Sequence, residues 1–498
     1  MSLATPDKIG NLQRKLYGKA KAEPAYRFYL LYDKIHRPDI LEHAYALARE
    51  NDGAPGVDGV TFESIEAAGL AGWLAALGED LAAKTYRPLP VRRVMIPKPG
   101  GGERPLGIPT IRDRVVQTAA KLVLEPIFEA DLEDCAYGYR PERSALDAVK
   151  ATHRRIRQGY VDVVDADLSK YFDTIPHREL MQSVARRICD RHVLHLIKMW
   201  LRVPVEERDG EGRRRLSGGK TNRQGTPQGG VISPLLANLY MNRFLKYWRT
   251  RGCGEAFRAH LVNYADDFVI LSRGRADEAL AWTRTTMARL GLTLNEAKTS
   301  VKDARTEGFD FLGYTLGPKF APMGGQKYLG AGPSRKSVQR IKDKIGELLK
   351  PGEKGSWPGV RNRLNRLLAG WSGYFSYGTR VPAYRAVDHH VSERVRRFLA
   401  KRHKEPGRGT RPFSWKEIHG KIRGGPTPSN SRSRRRGSTV KSVGKPDAGN
   451  PHVRFDERGR ETGPLAMPQC YRALPRLYNA EPDADRTRDC DQYRASLA

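Results

Sequence analysis

Two acidic clusters stand out by residue type and spacing: Asp165-Ala-Asp167-Leu-Ser-Lys-Tyr-Phe172-Asp173 and Tyr264-Ala-Asp266-Asp267. Residues 161–168 (VDVVDADL) alternate and are β-branched, which predicts a strand running into the first cluster. Residues 259–272 (AHLVNYADDFVILS) predict two apolar strands around a short acidic turn, a hairpin that carries the second. Carboxylates gathered at strand ends repel one another unless they are protonated or bridged by cations. Mg²⁺ suits such a group, because it takes oxygen ligands and keeps positions open for phosphate oxygens. A pair of such ions is a general device for in-line displacement at phosphorus. The plain alternative is a pair of solvated acidic turns, since Y-A-D-D alone is a weak motif.

The rest of the chain favours the first reading. Its 498 residues carry 88 Lys+Arg against 56 Asp+Glu, a formal net charge of +32. That balance points to a polyanionic partner, nucleic acid first, over a basic but unspecialised surface. An acidic island in so basic a chain is poorly explained as solubilising surface. Apolar residues make up 39%, enough for several cores. The chain has no run of 18 apolar residues and no apolar signal stretch near Met1, so a cytoplasmic protein with no membrane partner is expected. Five cysteines, none in a C-x-x-C pair, exclude a disulfide scaffold and show no zinc site.

Around the clusters, residues 112–128 and 234–246 read as helices. Residues 331–423 hold 23 basic and 7 acidic side chains, an excess of 16. Three helices are predicted there, over 337–349, 359–375 and 383 to about 404, the first two separated by Gly352, Gly355 and Pro358. Trp371, Tyr374 and Phe375 lie at helical spacing, which favours core; stacking on unpaired RNA bases is the alternative. From Gly424 the chain turns to Gly, Ser, Pro and Arg with almost no large apolar residue, and it reads as a disordered basic tail.

At this point a family resemblance is visible. Y-A-D-D in a hairpin, preceded by D-A-D-L-S-K-Y-F-D-T-I, resembles the palm of reverse transcriptases. Residues 225–240 (GTPQGGVISPLLANLY) resemble the family's third palm motif. Residues 96–109 (IPKPGGGERPLGIP), with Asp113-Arg114, look like the fingers of bacterial group II intron reverse transcriptases, and residues 136–144 (AYGYRPERS) fit the next motif. Residues 309–314 (FDFLGY) are similar to the strand pair that grips the primer. Residues 51–61 (NDGAPGVDGVT) resemble the intron-family N-terminal extension, and residues 364–375 (LNRLLAGWSGYF) the thumb and maturase region called domain X.

The resemblance covers residues from about 20 to 420. It implies an α+β right-hand polymerase: an extension over 1–85, fingers and palm over 86–330, helical thumb and domain X over 331–423, and the tail over 424–498. It implies an RNA-directed DNA polymerase using two Mg²⁺ ions and dNTP substrates. Such a protein also binds group II intron RNA to assist splicing, and it supports intron mobility through an RNA template, a DNA primer and a DNA target. The rivals are a domesticated reverse transcriptase in a host process such as phage defence, and a polymerase-dead splicing factor. The extension and domain X argue against the former, the intact aspartates against the latter.

Residue roles follow the motifs. Asp167, Asp266 and Asp267 match the metal-binding palm aspartates, while Asp165 and Asp173 are expected to be structural. Phe172 resembles the steric gate against a ribonucleotide 2′-hydroxyl, or is an ordinary core ring. Lys98, Arg104 and Arg92 match the fingers cations on the triphosphate, unless they are a solvated hairpin. Gln228 and Gly229 match the nucleotide-facing loop, where glycine would let backbone approach the base pair. Lys298, in L-N-E-A-K-T, resembles the charge-neutralising lysine after the catalytic hairpin. His177, His389 and His390 are assigned no chemistry. The tail has neither the paired cysteines nor the histidines of the HNH endonuclease that some relatives carry, so none is expected.

Overall fold

A computed structural model describes residues 3–97, 102–208, 213–321, 324–350, 352–353 and 355–402. Lys98 and the proposed tail lie outside the described residues. The chain divides into two compact units. One runs to Leu312 and resumes over Leu316–Ala331; the other takes Gly313–Thr315 and the chain from Gly332.

The strands in chain order are β1 (Val91–Pro97), β2 (Glu103–Ile108), β3 (Asp162–Asp167), β4 (Pro204–Arg208), β5 (Arg214–Gly218), β6 (Ala259–Tyr264), β7 (Asp267–Ser272), β8 (Ser300–Asp303), β9 (Phe309–Phe311), β10 (Tyr314–Phe320) and β11 (Lys327–Pro333). They form three sheets, ordered β2-β1-β4-β5, β6-β7-β3-β8 and β11-β10-β9. The β6-β7-β3-β8 sheet is antiparallel throughout and carries both acidic clusters. Its central strand β7 reads Phe268-Val-Ile-Leu271 and is buried on both faces, which explains an apolar run without alternation. The free edge of β6 is covered by the loop after the helix Ile111–Glu129: Asn263 N–H donates to Cys135 O (2.8 Å) and Tyr137 N–H donates to Asn263 O (2.8 Å).

The helix Ile111–Glu129 is buried on nearly every side, and the two buried charged residues near its start are engaged. Asp113 accepts from Tyr86 Oη (2.6 Å), Thr110 Oγ1 (2.8 Å) and Leu89 N–H (3.1 Å). Arg114 donates to Pro109 O (3.1 Å), Gly53 O (3.0 Å) and Ala54 O. The Asn51–Thr61 motif is thus tied to the helix by a buried guanidinium. Arg187 does the same further on, donating to the carbonyls of Glu23, Pro24, Tyr26 and Ala20 while its Nε lies 3.0 Å from Asp131 Oδ2. Buried charges of this kind are tolerated because their guanidinium groups bond to several backbone carbonyls and, for Arg187, lie beside the Asp131 carboxylate.

The second unit packs the helices Arg335–Leu348, Trp357–Tyr374 and Val381–Arg402. Their stripes meet in a core of Ile341, Ile345, Val360, Leu364, Leu368, Val387, Val391 and Val395. Trp371 and Phe375 are fully buried in it, with ring centroids 5.2 Å apart, so neither offers a face to an RNA base. Tyr374 is half-buried with its ring edge on Phe375 (4.8 Å).

Asp388 sits among these helices with no cation paired to it among the described residues, and burial pushes its carboxyl up to about 7. A folded-state value above the unfolded one makes the folded state the better proton acceptor. That contribution is complete below the unfolded value near 4 and is lost as pH rises to about 7. Asp388→Asn removes the burial cost of the charge. Its stabilisation is expected to be small at pH 4 and about 1–2 kcal/mol at pH 8, after allowing for the solvent-facing part of the side chain. Thermal melts of both proteins across that range check it; equal differences at both pH values would refute it.

Candidate active site

The two acidic clusters meet because β3 and β7 are neighbours. Asp167, the last residue of β3, pairs directly with Asp267, the first of β7. Asp266 precedes Asp267 in the two-residue turn that joins β6 to β7. The other turn residue, Ala265, is held at a φ of 57°. That conformation costs an alanine on the order of 1 kcal/mol. It is braced by Asn263 Nδ2–H, which donates to Ala265 O (2.8 Å), and by Gly138, whose missing side chain would come within 2.5 Å of Ala265 N.

The electrostatics confirm the convergence. Burial raises the Asp266 carboxyl, and the charge of Asp167 raises it further, while Arg104 and Lys298 pull it down. Burial also pushes Asp267 far up, with Asp266, Asp167 and Asp165 adding to the rise and Lys298 opposing it. Asp165 is raised chiefly by burial and held by Lys302, whose Nζ lies 3.2 Å from Oδ2. Asp167 Oδ2 accepts from Lys298 Nζ (2.9 Å) and from Asn295 Nδ2 (3.1 Å), and the bond to Asp167 raises Lys298. Asn295 N–H also donates to Asp167 O (2.8 Å), which stitches the Leu294–Lys298 segment to the end of β3.

Asp266 and Asp267, raised by burial and by the charge of Asp167, need positive charge beside them to stay ionised. Their donor set, oxygen only and on short side chains, fits a hard divalent cation such as Mg²⁺. Among the described residues no three acidic, imidazole or thiol groups already surround a single point. The Lys298 ammonium and the Asn295 amide both take Asp167 Oδ2.

A second group borders the carboxylates. Arg104 Nε–H donates to Gln228 Oε1 (3.1 Å), and Gln228 Nε2 donates to Asp173 Oδ1 (2.9 Å) and Oδ2 (3.0 Å). Because a carboxylate only accepts, Asp173 orients the Gln228 amide with its oxygen toward Arg104. Gly107 N–H on β2 donates to Gln228 O (2.6 Å), and Thr226 N–H donates to Phe172 O (2.6 Å). The Gly225–Gly230 loop therefore bridges β2 and the Phe172 turn. Phe172 itself is buried, with its ring edge-on to Tyr139 at 6.5 Å. Gly229, at a φ of 102°, makes its close approach to protein: a Cβ there would lie 2.2 Å from Gly107 O. The sequence reading placed that closeness against a base pair.

Arg92 pairs with Ile108 across the β1–β2 ladder, and its charge acts on Arg114. His177 starts the helix His177–Ala185, its Nε2 2.7 Å from Gly225 O, and burial lowers it below the usual range. Two neighbours of the carboxylates escaped the sequence reading. Asn295 lies three residues before Lys298. Tyr139, inside the A-Y-G-Y-R motif, is pushed up to about 12 by burial and then by Asp266.

Residues 96–316 match the family model for reverse transcriptase (RNA-dependent DNA polymerase), and residues 338–413 match that for the group II intron maturase-specific domain. Protein YkfC of Escherichia coli K12 is 36% identical over 366 residues, covering 66% of this chain and 93% of that protein. The chain belongs to the group II intron-encoded reverse transcriptase/maturase family. Group II intron-encoded protein LtrA of Lactococcus lactis is 35% identical over 228 residues, 44% of this chain and 35% of LtrA. A putative COX1/OXI3 intron 2 protein of Saccharomyces cerevisiae is 26% identical, over 54% of this chain and 36% of that protein. The chain thus spans about a third of these two longer relatives. As a member of the family it has the mixed helix-and-sheet, right-hand polymerase fold, and its two matched domains make nucleic acid its ligand class. Among the described residues no helix is long and apolar enough to cross a membrane.

Proposed function

We propose that this protein is an RNA-directed DNA polymerase that also binds its group II intron RNA to assist splicing. The observation that carries the polymerase reading is the meeting of Asp167, Asp266 and Asp267 at one end of the β3–β7 pair, with Arg104 acting on Asp266 from β2. Those three aspartates would hold the Mg²⁺ ions. Bound there, Mg²⁺ supplies charge neutralisation and orientation for phosphoryl transfer. Arg104 and Lys298 balance the negative charge that a dNTP brings, with Lys98 and Arg92 as further fingers cations. Gln228, oriented by Asp173, presents a fixed amide to the nucleotide, and Gly229 keeps that loop closed on β2. The basic helical unit, with its aromatics used as core, would bind RNA through Lys and Arg on phosphates.

The decisive test is primer extension on an RNA template with dNTPs, with and without Mg²⁺. Absence of Mg²⁺-dependent extension would sink the polymerase reading. Phe172→Val tests the gate. Opening space beside the sugar is expected to raise ribonucleotide incorporation relative to dNTP by about tenfold to a hundredfold, equivalent to roughly 1–3 kcal/mol of lost exclusion. An unchanged ratio would leave Phe172 a core ring.

A further inference from the structure

A cavity of about 460 Å³ opens where the C-terminal ends of three helices meet: His177–Ala185, Ser233–Thr250 and Ala276–Arg289. None of its lining residues belongs to the carboxylate site. Its cationic residues are Arg186, Arg187, Arg243, Lys246 and Arg289, and Asp131 is its one acid. Asp131 is already engaged by Arg187, and that pair pins the end of the first helical segment as described above. Arg243 donates to Glu179 O and Ser183 Oγ, neutral acceptors that leave its charge uncancelled. Among the described residues, the side chains of Arg186, Lys246 and Arg289 have no acceptor or carboxylate partner.

Helix C-termini explain part of this charge. Each end carries roughly half a negative charge, so three ends offset about one and a half of four uncancelled positive charges. Roughly two and a half remain in one concavity, where like charges repel and a polyanion relieves them. The volume falls within the range of about 300–1,000 Å³ usual for ligand pockets. Arginine forks bind phosphate oxygens two at a time, and lysine adds a point charge.

We propose that this cavity is a second nucleic-acid site, which seats the phosphodiester backbone of single-stranded RNA. The free cations come from three different helix ends, which suits successive phosphates of a strand better than one small anion. Arg187, which lines the same cavity, is fixed by its bonds to the carbonyls of Ala20, Glu23, Pro24 and Tyr26 and by Asp131. This assignment does not rest on the polymerase reading, because its test reads RNA binding alone.

The full-length protein is titrated with a short labelled oligouridylate at several salt concentrations. Arg186→Glu/Arg289→Glu is expected to weaken binding more than about tenfold. It should also lower the log–log salt slope by about 1.4, roughly 0.7 for each lost single-strand contact. Arg154→Glu/Arg157→Glu makes the same charge change on another helix and is expected to cost less than about threefold. Equal losses in the two double variants would overturn the proposal, since general charge loss then explains both. Tripolyphosphate is the second arm. If it binds the wild type and not the cavity variant, while oligouridylate affinity is unchanged, the cavity takes small phosphates and the RNA assignment is overturned. Should the charge reversal prevent folding, Arg186→Gln/Arg289→Gln answers the same question with about half the expected loss.

Discussion

Asp266→Ala is expected to reduce primer extension on an RNA template at least about a thousandfold, a loss of roughly 4 kcal/mol of transition-state stabilisation. Its carboxylate lies in the turn between two strand ends, where Asp167 and Arg104 both act on it. Removing it takes away an oxygen donor for a divalent cation and no phosphate contact. RNA affinity should therefore change by less than about twofold, because affinity of that kind comes from Lys and Arg. The variant should also fold at least as well as the wild type. A buried, mutually repelling carboxylate is a cost to the folded state without its cation, and Asp267 is relieved of one of its repulsive neighbours. The check is paired: extension kinetics and filter binding on the same preparations, with thermal melts in the absence of divalent ions. Extension within about tenfold of wild type would overturn the two-ion assignment. Loss of RNA binding together with extension would point instead to misfolding.

Gly229→Ala is expected to be the most damaging single methyl group in the molecule. The position combines a φ of 102° with a carbonyl oxygen 2.2 Å from where the Cβ would stand. An L-residue there carries backbone strain of on the order of 1–2 kcal/mol. To make room the loop must also draw back from β2, which breaks the 2.6 Å bond from Gly107 N–H to Gln228 O at a further cost of about 1 kcal/mol. A destabilisation of about 2–3 kcal/mol follows, or a fall in Tm of roughly 3–5 °C for a unit this large. The functional consequence should be specific. Gln228 loses its register with Arg104, so the KM for dNTP should rise more than kcat falls. Gly230→Ala is the milder comparison: its missing Cβ would meet the Ser233 hydroxyl at 2.8 Å, Pro227 O at 3.3 Å and Gln117 Oε1 at 3.4 Å, none as close as the carbonyl facing Gly229, and its backbone is outside the left-handed region. A wild-type melting temperature for Gly229→Ala would show that the loop yields without cost.

Much of the fold could be read from local pattern. The β-branched 161–168 segment became β3, the 259–272 segment became the β6–β7 hairpin, and the three helices of the basic unit lie within a few residues of their predicted bounds. These features depend on side-chain period and turn chemistry, which act over a few residues and leave a direct trace in sequence. The same holds for the types of residue gathered at the candidate site: the aspartates, Arg104, the glycines of the 225–230 loop.

What tertiary structure alone decided is which of these residues touch. Lys298 and Asn295 reach Asp167 from 131 and 128 positions away. Arg104 finds Gln228 across 124 positions, and Gln228 finds Asp173 across 55. Asp113 and Arg114 look like a charged fingers motif in the sequence, yet both are buried ties to upstream segments. Gly229 reads as room for backbone beside a nucleotide, and its missing side chain also makes room for β2. Trp371 and Phe375 lie at a spacing that favours core while leaving RNA stacking as the alternative, and only the apolar core around them removes that alternative. Such choices turn on desolvation and on charge–charge energies that depend on distance through the folded molecule. Those distances are set by which strands neighbour one another and which loops cover their edges. A linear sequence carries the charges and the apolar surface, but the separations that make one partner win exist only once the chain has folded.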